Sequence, residues 1–317
     1  MYDSLKALDP IKINFENQSS LVLNIILAII MFGVALNIKT THFNDIIKKP
    51  TTVIIGFLSQ FFVLPAITFL TTILLNKLIT PGVALGMILV AACPGGNMSN
   101  FISSLAKVNT ALSVSLTAIS SFAAIVLTPL NFSVYGNLYL KFMEVNSHLA
   151  RPLEIDPYQM FQTVFIILGI PLIIGMITAS KLPKFTNFIN KPIKTASIII
   201  FATFVIVAFS NNFTFFIKHI HYIVIIVLIH NALALLSGYY FSKAFKLGEK
   251  ISRTISIETG IQNSGLGLAL IFNPKIFPAN LEIGGMAFVA AWWGIWHIVS
   301  GLAIAFWWSK HSKTQDN

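Results

Sequence analysis

Nine apolar stretches of about 20 residues divide this 317-residue chain. They lie near residues 21–38, 51–76, 82–106, 111–132, 158–180, 193–210, 216–242, 251–273 and 284–308. An α-helix of that length spans the hydrocarbon core of a bilayer. Backbone N–H and C=O groups find no water there, so only helices and closed barrels cross. The stretches lack the every-second-residue alternation of a barrel strand. Of all residues, 56% are hydrophobic and only 10% charged, which excludes a soluble domain. The sequence therefore predicts an all-α membrane protein with nine transmembrane helices. Residues 21–309 form a single transmembrane unit, between an external tail (1–20) and a cytoplasmic tail (310–317). Residues 1–20 carry Asp3, Asp9, Pro10 and Glu16 and do not resemble a signal peptide.

The net charge of +10 is an orientation signal rather than a nucleic-acid footprint. Nine spans put the two termini on opposite sides. Of the 21 Lys and Arg, 7 fall on the N-terminal side and 14 on the C-terminal side. Positive charge stays inside, so the N-terminus is expected outside and the C-terminus in the cytoplasm of a cell (inner) membrane. The bilayer is one partner, and no nucleic acid or obligate protein partner is implied. The single cysteine, Cys93, excludes an internal disulfide and reads as a small packing residue.

Glu258 is the one acidic residue inside an apolar span. A carboxylate at membrane depth is costly and marks a functional site by default. Around it runs Ser256-Ile-Glu-Thr-Gly-Ile-Gln-Asn-Ser-Gly265. The third span is polar in its middle too, with Cys93-Pro-Gly-Gly-Asn-Met-Ser-Asn100. Pro and Gly at these positions break a helix. Breaks at membrane depth survive only where protein or a water-filled cavity satisfies the freed backbone. Interrupted helices at corresponding positions of two halves point to a transporter binding site. These spans enter from opposite sides, as an inverted repeat requires. Close packing of small residues would explain the glycines but not Asn97, Ser99, Asn100, Gln262 and Asn263.

These motifs, with Asn109-Thr-Ala-Leu-Ser-Val-Ser-Leu-Thr117, Gly56-Phe-Leu-Ser-Gln60 and Leu228-Ile-His-Asn231, resemble the sodium/bile acid symporter family over residues 20–309. The resemblance implies two broken helices crossing in a core domain, plus a panel domain that moves against it. The panel would be residues 21–38, 158–180 and 193–210, and the core 51–132 and 216–308. Bacterial relatives often have ten helices, and with nine spans here the first of them is expected to be missing. The resemblance also implies two co-transported Na⁺ ions. One would be held by Ser99, Asn100, Ser113, Thr117 and Glu258. The other would be held by Gln60, Glu258, Gln262 and the backbone carbonyls of Thr259 and Ile261.

The chemistry suits that assignment, since a hard cation takes hydroxyl, amide, carboxylate and main-chain oxygens. Ser113 and Thr117 share one helix face at i, i+4. Alone, each would more readily bond its own helix backbone, and it is their company with Glu258 and both breaks that favours ligation. Two Na⁺ and one Glu⁻ leave about one positive charge, augmented by half-helix N-termini, which favours an anionic substrate. Asn97 and Asn263 are the expected substrate contacts. His297 either joins them or bonds a neighbouring helix, and His230 reads as structural. The resemblance implies an amphipathic or small organic anion as cargo, bile acid-like or a carboxylate.

Other classes fit less well. There is no pair of membrane Asp residues, no His-Glu-x-x-His and no nucleophile elbow around Ser264, so an enzyme is not expected. A proton-coupled organic anion carrier and a non-transporting ligand sensor remain alternatives.

Overall fold

The structure, a computed structural model, describes residues 1–10, 25–26, 28–33, 35–36, 50–96, 98–143, 156–210, 213–273, 275–277 and 281–311. Among them the chain is helical throughout, apart from one isolated two-residue backbone pairing. The helices are α1 (Tyr2–Lys6), α2 (Pro50–Leu74), α3 (Pro81–Ala92), α4 (Met98–Leu105), α5 (Thr110–Phe142), α6 (Pro157–Lys181), α7 (Pro183–Ser210), α8 (Phe213–Ala244), α9 (Glu249–Gly260), α10 (Ser264–Ile271) and α11 (Gly284–His311). Residues 28–33 of the first expected span are also helical. Five described helices are long and apolar enough to cross a membrane: α2, α5, α6, Ile220–Ala244 of α8 and Gly284–Lys310 of α11.

Local chemistry sets the boundaries. Thr80, Asn109, Asp156 and Asn263 each turn a side-chain oxygen onto a free amide at the start of a helix. Pro65 and Pro171 lie inside α2 and α6 and cannot donate to the helix ladder. A π turn precedes each, Ser59–Val63 and Phe165–Gly169, closed by Leu64 N on Ser59 O and Ile170 N on Phe165 O. The apolar stretch 138–142 extends α5, and α7 starts about ten residues before the expected span.

Helix α3 is the axis of the core, with every residue from Gly82 to Ala92 buried. It packs closely on α11: a Cβ at Gly86 would stand 2.8 Å from the Met286 backbone. Helices α8 and α9 approach as tightly through Gly238, whose Cβ would meet Thr259 Oγ1 at 2.8 Å. At the far end of α9, Glu249 pairs with Lys243 (2.6 Å) and Arg253 (2.8 Å), and Arg253 lies over Trp308. The first expected span meets α6, where a Cβ at Gly175 would lie 2.5 Å from Ala35 Cβ.

The first ten residues are folded onto this bundle. Leu5 and Leu8 are fully buried, and Gly284 N donates to Asp9 O at 3.2 Å. The Asp9 carboxylate sits between the first turns of α3 and α11. A Cβ at Gly82 or at Gly285 would stand 2.3 Å from its Oδ1, so only glycine leaves it room. Two helix N-termini favour the anion there. Burial outweighs them: with Glu282 adding to it and Thr80, Gly82 and Gly285 opposing, the Asp9 pKa rises from 3.8 to about 7.

A carboxyl whose folded pKa is raised stabilises the fold fully below its unfolded pKa, and this is lost as pH rises through 7. Asp9→Asn lacks that component. The melting temperature of Asp9→Asn relative to wild type is expected to be higher at pH 8 than at pH 5. Gly285→Ala is expected to lower stability by about 1–3 kcal/mol through overpacking. Thermal melts in detergent check both.

Candidate functional site

The two broken spans meet backbone to backbone. After α3, Pro94-Gly95-Gly96 runs extended; after α9, Ile261-Gln262-Asn263 does the same. Gly95 and Gln262 pair as an antiparallel bridge. Gly96 N donates to Ile261 O and Asn263 N to Pro94 O, both at 2.8 Å. Peptide groups freed by one break are thus satisfied by the other. Gly95 is required by crowding: its Cβ would lie 3.0 Å from Glu258 Oε2 and 3.2 Å from Gln60 Nε2.

All five residues of the first expected ion site converge. Glu258, on the last turn of α9, is 1% exposed. Its carboxylate accepts from Ser99 Oγ of α4 at 2.6 Å, from Ser113 Oγ of α5, and from Thr117 Oγ1 at 3.1 Å. Ser113 and Thr117 also face Asn100 Oδ1, at 2.9 and 3.2 Å. Each hydroxyl carries one hydrogen. Three hydroxyl hydrogens therefore serve the two carboxylate oxygens and the Asn100 amide oxygen, and the hydroxyl oxygens bring further lone pairs. The cluster is rich in acceptors. Among the described residues no Lys, Arg or His forms an ion pair with Glu258; Lys243 and Arg253 pair with Glu249 instead.

The second set is gathered around Gly95. Gln60 lies in the π turn of α2, is 2% exposed, and its Nε2 has no hydrogen-bond partner. Gln262 donates Nε2 to Thr259 O at 2.7 Å, and its buried Oε1 has no partner. Ile261 O already accepts from Gly96 N and keeps one lone pair. Thr259 Oγ1 donates to Ile255 O, so the hydroxyl of Ser59 must donate to Thr259, at 2.8 Å. Sequence reasoning did not assign Ser59 or Asn231, which donates Nδ2 to Gly260 O at 2.8 Å. Asn231 stood in the Leu228-Ile-His-Asn231 motif, but no spacing rule connects it to Gly260.

The expected substrate contacts are less gathered. Asn97 lies outside the described residues. Asn263 caps α10 through Oδ1, and its Nδ2 lies 4.0 Å from Met31 Sδ of the first expected span. His297 is 6% exposed, with Nδ1 unpartnered. His230 Nε2 bonds Thr68 Oγ1 at 2.8 Å and its ring meets Trp293, an interhelical role.

The sequence model of the family described as Sodium Bile acid symporter family matches residues 24–219. The chain belongs to that family. It is 32% identical to the uncharacterized sodium-dependent transporter YocS of Bacillus subtilis over 292 residues, covering 92% of this chain and 84% of that one. It is 27% identical to the human ileal sodium/bile acid cotransporter over 299 residues, 89% of this chain and 82% of the human protein. The family is one of membrane transporters, and the protein is a multi-pass membrane protein rather than an enzyme.

Gly95→Ala is expected to fold and to wedge Glu258 away from Gln60. A methyl at about 3 Å demands a shift of a few tenths of an ångström. Any ion response of the protein should weaken more than its stability in ion-free buffer, which melts with and without the ion compare.

Proposed function

We propose that the protein is a sodium-coupled symporter for an organic anion. The observation that carries this reading is the acceptor-rich shell around Glu258. A buried carboxylate without a cationic side chain needs a positive occupant, and the surrounding oxygens suit a hard cation. The first Na⁺ would be held by Ser99, Asn100, Ser113, Thr117 and Glu258. The second would use Gln60, Glu258, Gln262 and the carbonyls of Thr259 and Ile261. The partnerless amide oxygen of Gln262 supports it. The sodium dependence named for the Bacillus and human relatives supports sodium as the cargo ion.

Binding two Na⁺ beside one carboxylate leaves a net positive site. The amide-capped start of α10 adds positive dipole. An anion completes the charge balance, with Asn97, Asn263 and His297 as contacts. The substrate class is an amphipathic or small organic anion, of which the human relative's bile acid is one kind. Alternating access would come from the core, α2–α5 and α8–α11, rocking against a panel of the first span, α6 and α7. Asn263 beside Met31 lies on that seam. The N-terminus would face outward and the C-terminus the cytoplasm.

Melting the purified protein in Na⁺ and in K⁺ at equal ionic strength tests the coupling ion. A sodium-specific rise is expected for wild type and is expected to vanish in Glu258→Ala. Equal melting in both ions would remove sodium coupling and favour a proton on Glu258, which uptake driven by a pH gradient alone would then reveal.

A further inference from the structure

We infer that Asn231, locked by Ser300, is a positioning residue for the second sodium site, an inference that rests on the sodium-symport reading above. Helix α9 stops at Gly260, and the last carbonyls of a helix lack partners of their own. Here each of three successive carbonyls has a different one. Thr259 O accepts from Gln262 Nε2, Gly260 O from Asn231 Nδ2, and Ile261 O from Gly96 N. The first and third are the carbonyls proposed to face the ion. The middle one is held by a side chain from another helix.

The three carbonyls are joined by rigid planar peptides. They are hinged at the Cα atoms of Gly260 and Ile261, so holding the Gly260 carbonyl narrows the φ and ψ open to the carbonyls on either side. Asn231 supplies that hold, and its own amide cannot flip. A carbonyl only accepts, so the NH₂ end must face Gly260 O. The Oδ1 end then accepts from Ser300 Oγ of α11 at 2.6 Å. With one end on α9 and the other on α11, the 1%-exposed Asn231 has both ends of its amide engaged by protein. It acts through the backbone.

The surroundings of Gly260 are tightly packed. A Cβ at Gly260 would stand 2.4 Å from Leu235, which lies one turn along α8 from Asn231. Ser256 Oγ donates to Leu235 O at 2.7 Å on the same contact line. Losing the Asn231 amide would leave Gly260 O buried and unpaired, and the break would rearrange to satisfy it.

The test is a sodium titration of thermal stability in wild type, Ser300→Ala, Ser300→Thr and Asn231→Ala, each with a K⁺ baseline. Ser300→Ala is expected to raise the half-saturating Na⁺ concentration about three- to tenfold, the scale of one hydrogen bond. Asn231→Ala is expected to raise it further. Ser300→Thr keeps the hydroxyl and is expected to stay within about twofold of wild type. A merely structural role would lower melting in K⁺ and leave half-saturation unchanged in Ser300→Ala and Asn231→Ala, which would overturn the inference alone. No sodium response in wild type would overturn the symport reading and this inference together.

Discussion

Everything at the centre of this protein follows from burying Glu258 with no cationic side chain paired to it among the described residues. A carboxylate removed from water must recover its solvation from the protein. Three hydroxyls supply part of it, and they come from α4 and α5. Bringing α4 and α9 to one point goes with two helices that stop there, α3 at Ala92 and α9 at Gly260. The stops expose backbone groups, and the crossing of the spans satisfies them reciprocally through Gly96, Ile261, Pro94 and Asn263. Glycine at 95 follows from the crossing, because the carboxylate and Gln60 both press on it. The broken helices and the buried charge are one solution to one constraint.

Much of this was legible in the sequence. Glu258 stood out because a charge in an apolar stretch has few reasons to be there. The helix breaks were visible as Pro and Gly, and Ser113 with Thr117 as an i, i+4 pair. These signals are local, so a one-dimensional reading captures them. The links across helices were not legible. Ser59 touches Thr259 across 200 residues of chain, and Asn231 reaches Gly260 by a packing angle that no periodicity encodes. The π turns escaped as well, since they depend on how a proline is absorbed within a helix.

The N-terminal ten residues illustrate a different gap. They are short and partly charged, and composition alone reads them as a tail. Their burial depends on two glycines, Gly82 and Gly285, about two hundred residues apart in sequence and adjacent in space. A glycine at the start of a helix carries no sequence signal that a carboxylate from elsewhere will fill its place. His297 is a milder case: the sequence left it between substrate and helix packing, and the structure buries it with one nitrogen unpartnered.

Cys93 closes α3 at the crossover and is fully buried, 3.7 Å from where a Cβ at Gly267 would lie. A thiol shielded in this way is chemically silent toward bulky labels. The native chain is therefore already a blank background for site-directed spectroscopy. One cysteine placed at an exposed position of α6 and one at an exposed position of α11 would carry a pair of probes without first stripping the protein of its own. The distance between them would then record each rearrangement of the two parts of the molecule in real time.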